Sequence, residues 1–286
     1  MTEISASLVK ELRERTGMGM MDCKKALVES KGDINLAIEE LRKSSGVKAS
    51  KKAGRSAADG LIKAKIQDSK AFMVEINCET DFVAKDDSFI KFCEEILEVY
   101  SVGNFENLDQ LMEGELEDKR EKLVQKLGEN IVVRRVFKVD DSPDNIGLYL
   151  HSNNKIACIT SLKGGNEEVA KDIAMHVAAS DPLAISSEEI SKELINKERE
   201  IFLAQAEESG KPEDIVAKMV EGKVNKFLKE VSLIEQDFVK DLDLKVKTLL
   251  EKNSAEVLNF RRFEVGEGVE VKETDFASEV MSQIKS

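Results

Sequence analysis

Apolar positions recur at helical spacing through the first 45 residues and predict three short helices. Asp33 is placed to cap the third helix, and Gly17 follows the first, where glycine commonly ends a helix. The predicted inward positions are Leu8, Val9, Leu12, Met21, Ala26, Leu27, Ile34, Ala37, Ile38 and Leu41. The pattern therefore predicts a minimal three-helix domain over residues 1–46.

The turn before the second helix carries Met18, Met20 and Met21. These side chains could fill the core of so small a bundle. They could equally form a docking surface, because the flexible methionine side chain adapts to irregular partners. The pattern alone leaves both interpretations open.

Residues 47–59 are rich in Ala, Ser, Gly and Lys, which predicts a solvated linker. Nucleic-acid binding through the lysines of this segment is the weaker alternative, because no aromatic side chain alternates with the basic ones for base stacking.

Beyond residue 60 the apolar residues alternate with polar ones, as they do in β-strands, and the same series of secondary-structure elements occurs twice. Each copy has two strands joined by a turn, a helix opening with Val-Ala-Lys-Asp, and a later strand containing Arg-Arg. The predicted strands are 61–66, 71–78 and 132–137 in the first copy, and 147–151, 156–162 and 259–265 in the second. This repetition predicts an α+β fold with two related antiparallel three-stranded sheets, in subdomains 60–140 and 141–265, each covered by helices on one face.

A helical hairpin is predicted inside the second copy, over residues 186–229. Ser186-Ser187-Glu188-Glu189 resembles a capping box, and Ile190, Leu194 and Ile201 continue an apolar row. The hairpin could pack back on its own sheet or project toward a partner or a second copy; its length favours projection. Residues 266–286 form a predicted C-terminal module with a helix at 275–281.

Composition narrows the choice of partners. The 286-residue chain has a formal net charge of −13, with 41% hydrophobic and 35% charged residues. Such an acidic chain repels phosphate backbones and anionic lipids, so we expect no direct nucleic acid and no membrane as partner. The four cysteines are scattered and no export signal is visible, which favours a cytoplasmic location.

The motifs of catalysis and cofactor binding are missing from the sequence. It contains no phosphate-binding GxxxxGK[ST] loop, no dinucleotide fingerprint and no HExxH motif. Its two histidines, His151 and His176, lack metal-ligand spacing, and His176 lies on an apolar helical face, as core histidines do. We therefore expect no enzyme activity, no cofactor and no metal site.

One segment combines a carboxylate with a large aromatic side chain at a strand-to-helix loop: Cys78-Glu79-Thr80-Asp81-Phe82-Val83-Ala84-Lys85. For such a pair in general, the ordinary interpretation is that Phe82 packs into the local core and Asp81 caps the helix.

Residues 80–86, Thr-Asp-Phe-Val-Ala-Lys-Asp, are also very similar to the signature of the elongation factor Ts family. Further strings resemble that family at 12–17, 20–27, 176–180 and 263–268, so the resemblance spans nearly the whole chain. It implies a guanine-nucleotide exchange factor that binds elongation factor Tu in its GDP-bound and nucleotide-free forms. It also implies a ubiquitin-associated-like N-terminal domain and a hairpin that could form a homodimer.

The resemblance assigns roles to single residues. Thr80, Asp81, Phe82 and Val83 would dislodge Mg²⁺ from the partner, and His151 matches the position of a second intruding side chain. Arg13, Met20 and Met21 would dock on the partner's nucleotide-binding domain. Two alternatives come from the residues alone: a helical adaptor for ubiquitin-like folds or peptides, and an acid/base hydrolase.

Overall fold

The computed structural model describes residues 4–139, 142–208 and 212–270. The helices are α1 (Ala6–Thr16), α2 (Met20–Glu29), α3 (Ile34–Lys52), α4 (Asp81–Ala84), α5 (Asp87–Val102), α6 (Leu108–Met112), α7 (Glu115–Leu127), α8 (Glu167–Ser180), α9 (Lys192–Glu207), α10 (Glu213–Val231) and α11 (Val246–Lys252). The strands are β1 (Asp59–Gln67), β2 (Lys70–Cys78), β3 (Val132–Val139), β4 (Asn145–Leu150), β5 (Ile156–Gly164), β6 (Asp237–Phe238), β7 (Asp241–Lys245) and β8 (Ala255–Glu264).

Local capping explains where α1 begins and ends and where α3 begins. The Ser5 hydroxyl accepts the Leu8 N–H at 3.3 Å, and the Asp33 carboxylate accepts the N–H groups at the start of α3. Gly17 ends α1 in the left-handed conformation, with φ of 69°. The small core between these helices contains Val9, Leu12, Met18, Cys23, Ala26, Leu27, Ala37 and Leu41.

The predicted linker over 47–59 is wrong for its first six residues, because α3 continues through Lys52. Leu41, Ser45 and Ala49 recur every four residues on one buried face of α3. This face packs on α7, and the Ser45 hydroxyl contacts the Gln125 side chain. The small residues that suggested a linker instead let two helices approach closely.

Two antiparallel sheets form in the predicted repeat, with strand orders β1-β2-β3 and β4-β5-β8. The β1–β2 turn is Asp68-Ser69, where both residues have positive φ, the conformation that tight hairpins require. Gly147 in β4 lies so close to α8 that a Cβ there would stand 1.9 Å from the Ala170 carbonyl oxygen. Mixed α+β architecture is thereby confirmed.

The two sheets also pack against each other, which the sequence pattern did not predict. Their shared apolar layer includes Ile62, Ala71, Met73, Val139, Ala157, Ile159 and Phe263. The outer face of the first sheet is covered by α5 and α7, and that of the second by α8 and α11. Each sheet therefore packs against helices on one face and against the other sheet on its second face.

Helices α9 and α10 pack on each other around a separate apolar cluster that includes Ala206, Val216, Val220 and Val224. The predicted capping box does not open α9: residues 187–189 form a 3-10 turn, and Ser191 caps the helix through the Leu194 N–H. Ile190 is buried in the connection between them. The predicted helix at 275–281 lies outside the described residues, and the C-terminal module is described only to residue 270.

In the parts of the chain that the structure describes, no helix has both the length and the apolar content needed to cross a membrane.

Candidate functional site

The loop after β2 exposes one large aromatic side chain. Thr80 caps the single turn of α4, and Val83 is buried in the core beneath the first sheet. Between them Phe82 is 81% exposed, more than any other large apolar side chain in the described residues. The interpretation that Phe82 packs into the local core is therefore wrong. Its neighbours anchor the backbone while its ring faces solvent.

Glu129 holds this loop in place. One carboxylate oxygen accepts the Thr80 hydroxyl at 2.6 Å, and the other accepts the backbone N–H groups of Glu79 and Thr80, each at 3.0 Å. In return, the Glu79 carboxylate accepts the backbone N–H of Asn130 at 2.6 Å. Glu129 was not predicted from the sequence, because it lies 49 residues after Thr80 and no local motif marks it.

Asp81 and Lys85 place charge beside the exposed ring. Lys85 donates to the Asp81 carboxylate at 2.6 Å, one helical turn away. This hydrogen bond is the main reason that the pKa of Asp81 is lowered, and the charge of Lys155 lowers it further. The carboxylate is therefore ionised at neutral pH and remains accessible.

His151 lies on the turn between β4 and β5, where its ring is exposed and its Nδ1 is 2.9 Å from the Tyr149 hydroxyl. This turn is attached to the first sheet: Ile62 donates its N–H to the Asn154 carbonyl at 2.7 Å. Lys155 Nζ also contacts the Asp59 carboxylate at 2.9 Å.

Asp59, the first residue of β1, pairs with Cys78, the last residue of β2. The Phe82 loop begins directly after Cys78. The fold thus brings Phe82 and His151, from the two copies of the repeat, to one end of the paired sheets.

The N-terminal helices present a second surface. Met20 and Met21 are 57% and 74% exposed, and Arg13 is exposed as well. The prediction that Met21 points inward is wrong, since Cys23 occupies the inward position of α2. Met18 is buried, so the methionines divide between core and surface.

Among the described residues, no cluster of three or more His, Cys, Asp or Glu side chains could hold a metal ion. All four thiols are buried, and burial raises the pKa of Cys78 to about 12, so this thiol is not a nucleophile at neutral pH.

His176 is a core residue, as predicted. Its Nε2 donates to the Gln236 side chain at 2.9 Å, and its Nδ1 accepts the Val239 N–H at 3.2 Å. An imidazole that donates through one nitrogen and accepts through the other is neutral.

These features define an α+β protein that presents an exposed aromatic ring, flanked by two charged side chains, on a loop anchored by hydrogen bonds. Residues 79–267 match the family model described as elongation factor TS. The chain is 56% identical over 287 residues to elongation factor Ts of Hahella chejuensis, with 100% of both chains covered. It is 54% identical to elongation factor Ts of Marinobacter nauticus, over 98% of this chain and 97% of that protein.

The chain belongs to the elongation factor Ts family, whose members are translation elongation factors.

Proposed function

We propose that this protein is the guanine-nucleotide exchange factor of elongation factor Tu. It binds the GDP-bound partner, promotes release of GDP without covalent chemistry of its own, and leaves a nucleotide-free partner to which GTP rebinds. Family membership supports the pairing. The single observation that carries the mechanism is the solvent-exposed Phe82 ring on an anchored loop.

Exchange of this kind is a linkage effect. A factor that binds the nucleotide-free partner more tightly than the GDP-bound partner must weaken GDP binding by the same factor. GTPases hold GDP through Mg²⁺ and a loop of backbone N–H groups, and Mg²⁺ tolerates little distortion of its octahedral shell. A side chain that displaces the elements around the ion therefore weakens the nucleotide as well.

We assign Phe82 as the intruding side chain and Asp81 as the charge beside it. Thr80 and Val83 support the intrusion, since one is fixed to Glu129 and the other is buried. His151, at the same end of the paired sheets, is the second intruding side chain. Together they would shift the elements that hold Mg²⁺ and phosphate in the partner.

Two further contacts are part of the proposal. Arg13, Met20 and Met21 dock the ubiquitin-associated-like helical domain on the partner's nucleotide-binding domain. The α9–α10 hairpin contacts a second copy of this chain, for which Ile201, Leu203 and Ile215 supply exposed apolar surface.

The decisive experiment follows fluorescent GDP leaving elongation factor Tu after mixing with this chain and excess unlabelled GDP. We expect release to be accelerated at millimolar Mg²⁺, and the acceleration to shrink when Mg²⁺ is chelated, because the factor then has no ion to dislodge. No acceleration would refute the exchange function. Acceleration that is the same with and without Mg²⁺ would refute the route through the ion.

A further inference from the structure

We propose that Glu129 is a positioning residue that fixes the direction in which Phe82 leaves the fold. The inference rests on the exchange function proposed above and extends it to a residue outside the exposed loop. Glu129 stands two residues after the end of α7 and just before β3, far along the chain from Phe82.

The geometry is a reciprocal clamp between two chain segments, residues 79–80 and 129–130. Glu129 accepts three hydrogen bonds from the first segment, at 2.6, 3.0 and 3.0 Å. Glu79 accepts one from the second segment at 2.6 Å. Both backbone N–H groups that Glu129 binds lie beyond the last paired residue of β2, so the sheet does not satisfy them.

This position in the loop ties Glu129 to the direction of the ring. Phe82 follows Thr80 by two residues and belongs to the single turn of α4, which begins directly after Thr80. A turn so short has little stability of its own, so its orientation is set by the clamp at Thr80, which caps it, together with the burial of Val83. Pre-ordered contacts also spare a complex the free energy of ordering a loop during binding.

Shape and charge can be separated by substitution at this position. Glu129→Gln keeps one oxygen for the two backbone N–H groups and an amide that can donate to the Thr80 hydroxyl. Glu129→Asp keeps the charge but is one methylene too short to reach both groups. Glu129→Ala removes the clamp altogether. If the position of the hydrogen-bonding atoms matters more than the charge, Glu129→Gln should promote GDP release as the parent does. Glu129→Asp and Glu129→Ala should then both be defective in promoting release.

The test measures GDP release from elongation factor Tu over a range of factor concentrations. We expect Glu129→Ala to lower the maximum rate about fivefold or more, with a thermal midpoint close to that of the parent. We expect Glu129→Gln to stay within about twofold of the parent rate. In a Phe82→Ala background, Glu129→Ala should have little further effect, because the two residues act as one unit.

A second measurement needs no partner. In hydrogen exchange of the free chain, the Glu79 and Thr80 amides should be protected in the parent and in Glu129→Gln, and unprotected in Glu129→Ala. If the parent protein fails to accelerate GDP release, the proposed nucleotide-exchange function is refuted. The protection of the Glu79 and Thr80 amides against hydrogen exchange still tests the clamp in that case.

Three results would overturn the positioning role: additive effects of the two alanine substitutions, a Glu129→Gln variant as slow as Glu129→Ala, or unprotected amides in the parent.

Discussion

Replacement of Phe82 by alanine separates a wedge from a core residue. Full burial of a phenylalanine side chain contributes about 1.5–3 kcal/mol to folding. Because Phe82 is 81% exposed, only about a fifth of that contribution is used, and we expect Phe82→Ala to lower the free energy of unfolding by about 0.3–0.6 kcal/mol. Phe89, fully buried one helix later, is the matched control, and Phe89→Ala should cost about 3–5 kcal/mol.

The same exposed surface sets the expected effect on exchange. The four fifths of the ring that are free in this chain can contribute about 1–2.5 kcal/mol if the partner buries them while GDP is leaving. Since 1.36 kcal/mol is a factor of ten in rate, Phe82→Ala should slow GDP release by about five- to seventyfold.

The assay is one thermal or urea unfolding curve and one GDP-release titration for each of the parent, Phe82→Ala and Phe89→Ala. We expect Phe82→Ala to unfold with the parent and to be slow in exchange. A Phe82→Ala protein that is fully folded and releases GDP within twofold of the parent rate would refute the wedge. A loss of several kcal/mol of stability would place the ring in the core.

Three further predictions concern other parts of the chain. The double substitution Met20→Ser with Met21→Ser should leave the free energy of unfolding within about 0.5 kcal/mol of the parent value, because both side chains are exposed. It should weaken binding to elongation factor Tu about tenfold, as measured by calorimetry. Met18 is buried and is the control: Met18→Ala should cost about 2–5 kcal/mol of stability. Burial lowers the pKa of His176, so the folded state binds its proton less readily than the unfolded state. The urea midpoint should therefore fall as the pH drops from 7 to 5.5 and change less in His176→Gln; equal slopes would contradict this. If the hairpin joins two copies, Ile201→Glu should reduce the sedimenting mass at micromolar concentration, and a parent that is already monomeric would exclude the homodimer.

Much of the fold follows from local signals in the sequence. Asp33 caps the helix that it was predicted to cap, because a side-chain oxygen needs only N–H groups two or three residues away. The strand pairs around Asp68-Ser69 and around the β4–β5 turn were also predictable, since alternating apolar positions flank turn residues in both copies.

The arrangement of the two sheets could not be predicted in the same way. Alternation marks which strand residues share a face, but it does not say what covers the second face. Glu75 and Asn77 lie on the inward-facing side of β2 and are buried despite being polar. Two arginines of β3 pair with Glu75, and such long-range compensation leaves no periodic signal in the chain.

The candidate site likewise combines residues that local sequence signals mark with residues that only long-range contacts connect. The string around Phe82 marked the loop, and the exposure of Met20 and Met21 was one of two open interpretations. Nothing local connected Glu129 to Thr80, because a carboxylate after a helix reads as an ordinary solvated residue. The turn carrying His151 lies at the same end of the fold as the Phe82 loop because the two sheets pack together, as the Lys155–Asp59 contact and the Asp59–Cys78 pairing show.

The combination of an exposed ring and a rigid loop bears on how exchange would be driven. A single apolar ring between the charged Asp81 and Lys85, on a chain of net charge −13, does not form the continuous apolar patch that promotes aggregation. The loop is already ordered, so little of the docking free energy is lost to ordering it, and a phenylalanine side chain has only two torsions to fix. Only the part of the binding energy that differs between the GDP-bound and nucleotide-free partner can accelerate release. A ring that finds its pocket only after the partner's ion-binding elements have moved contributes wholly to that difference, whereas contacts through Arg13, Met20 and Met21 that form in both states would raise affinity without raising the rate.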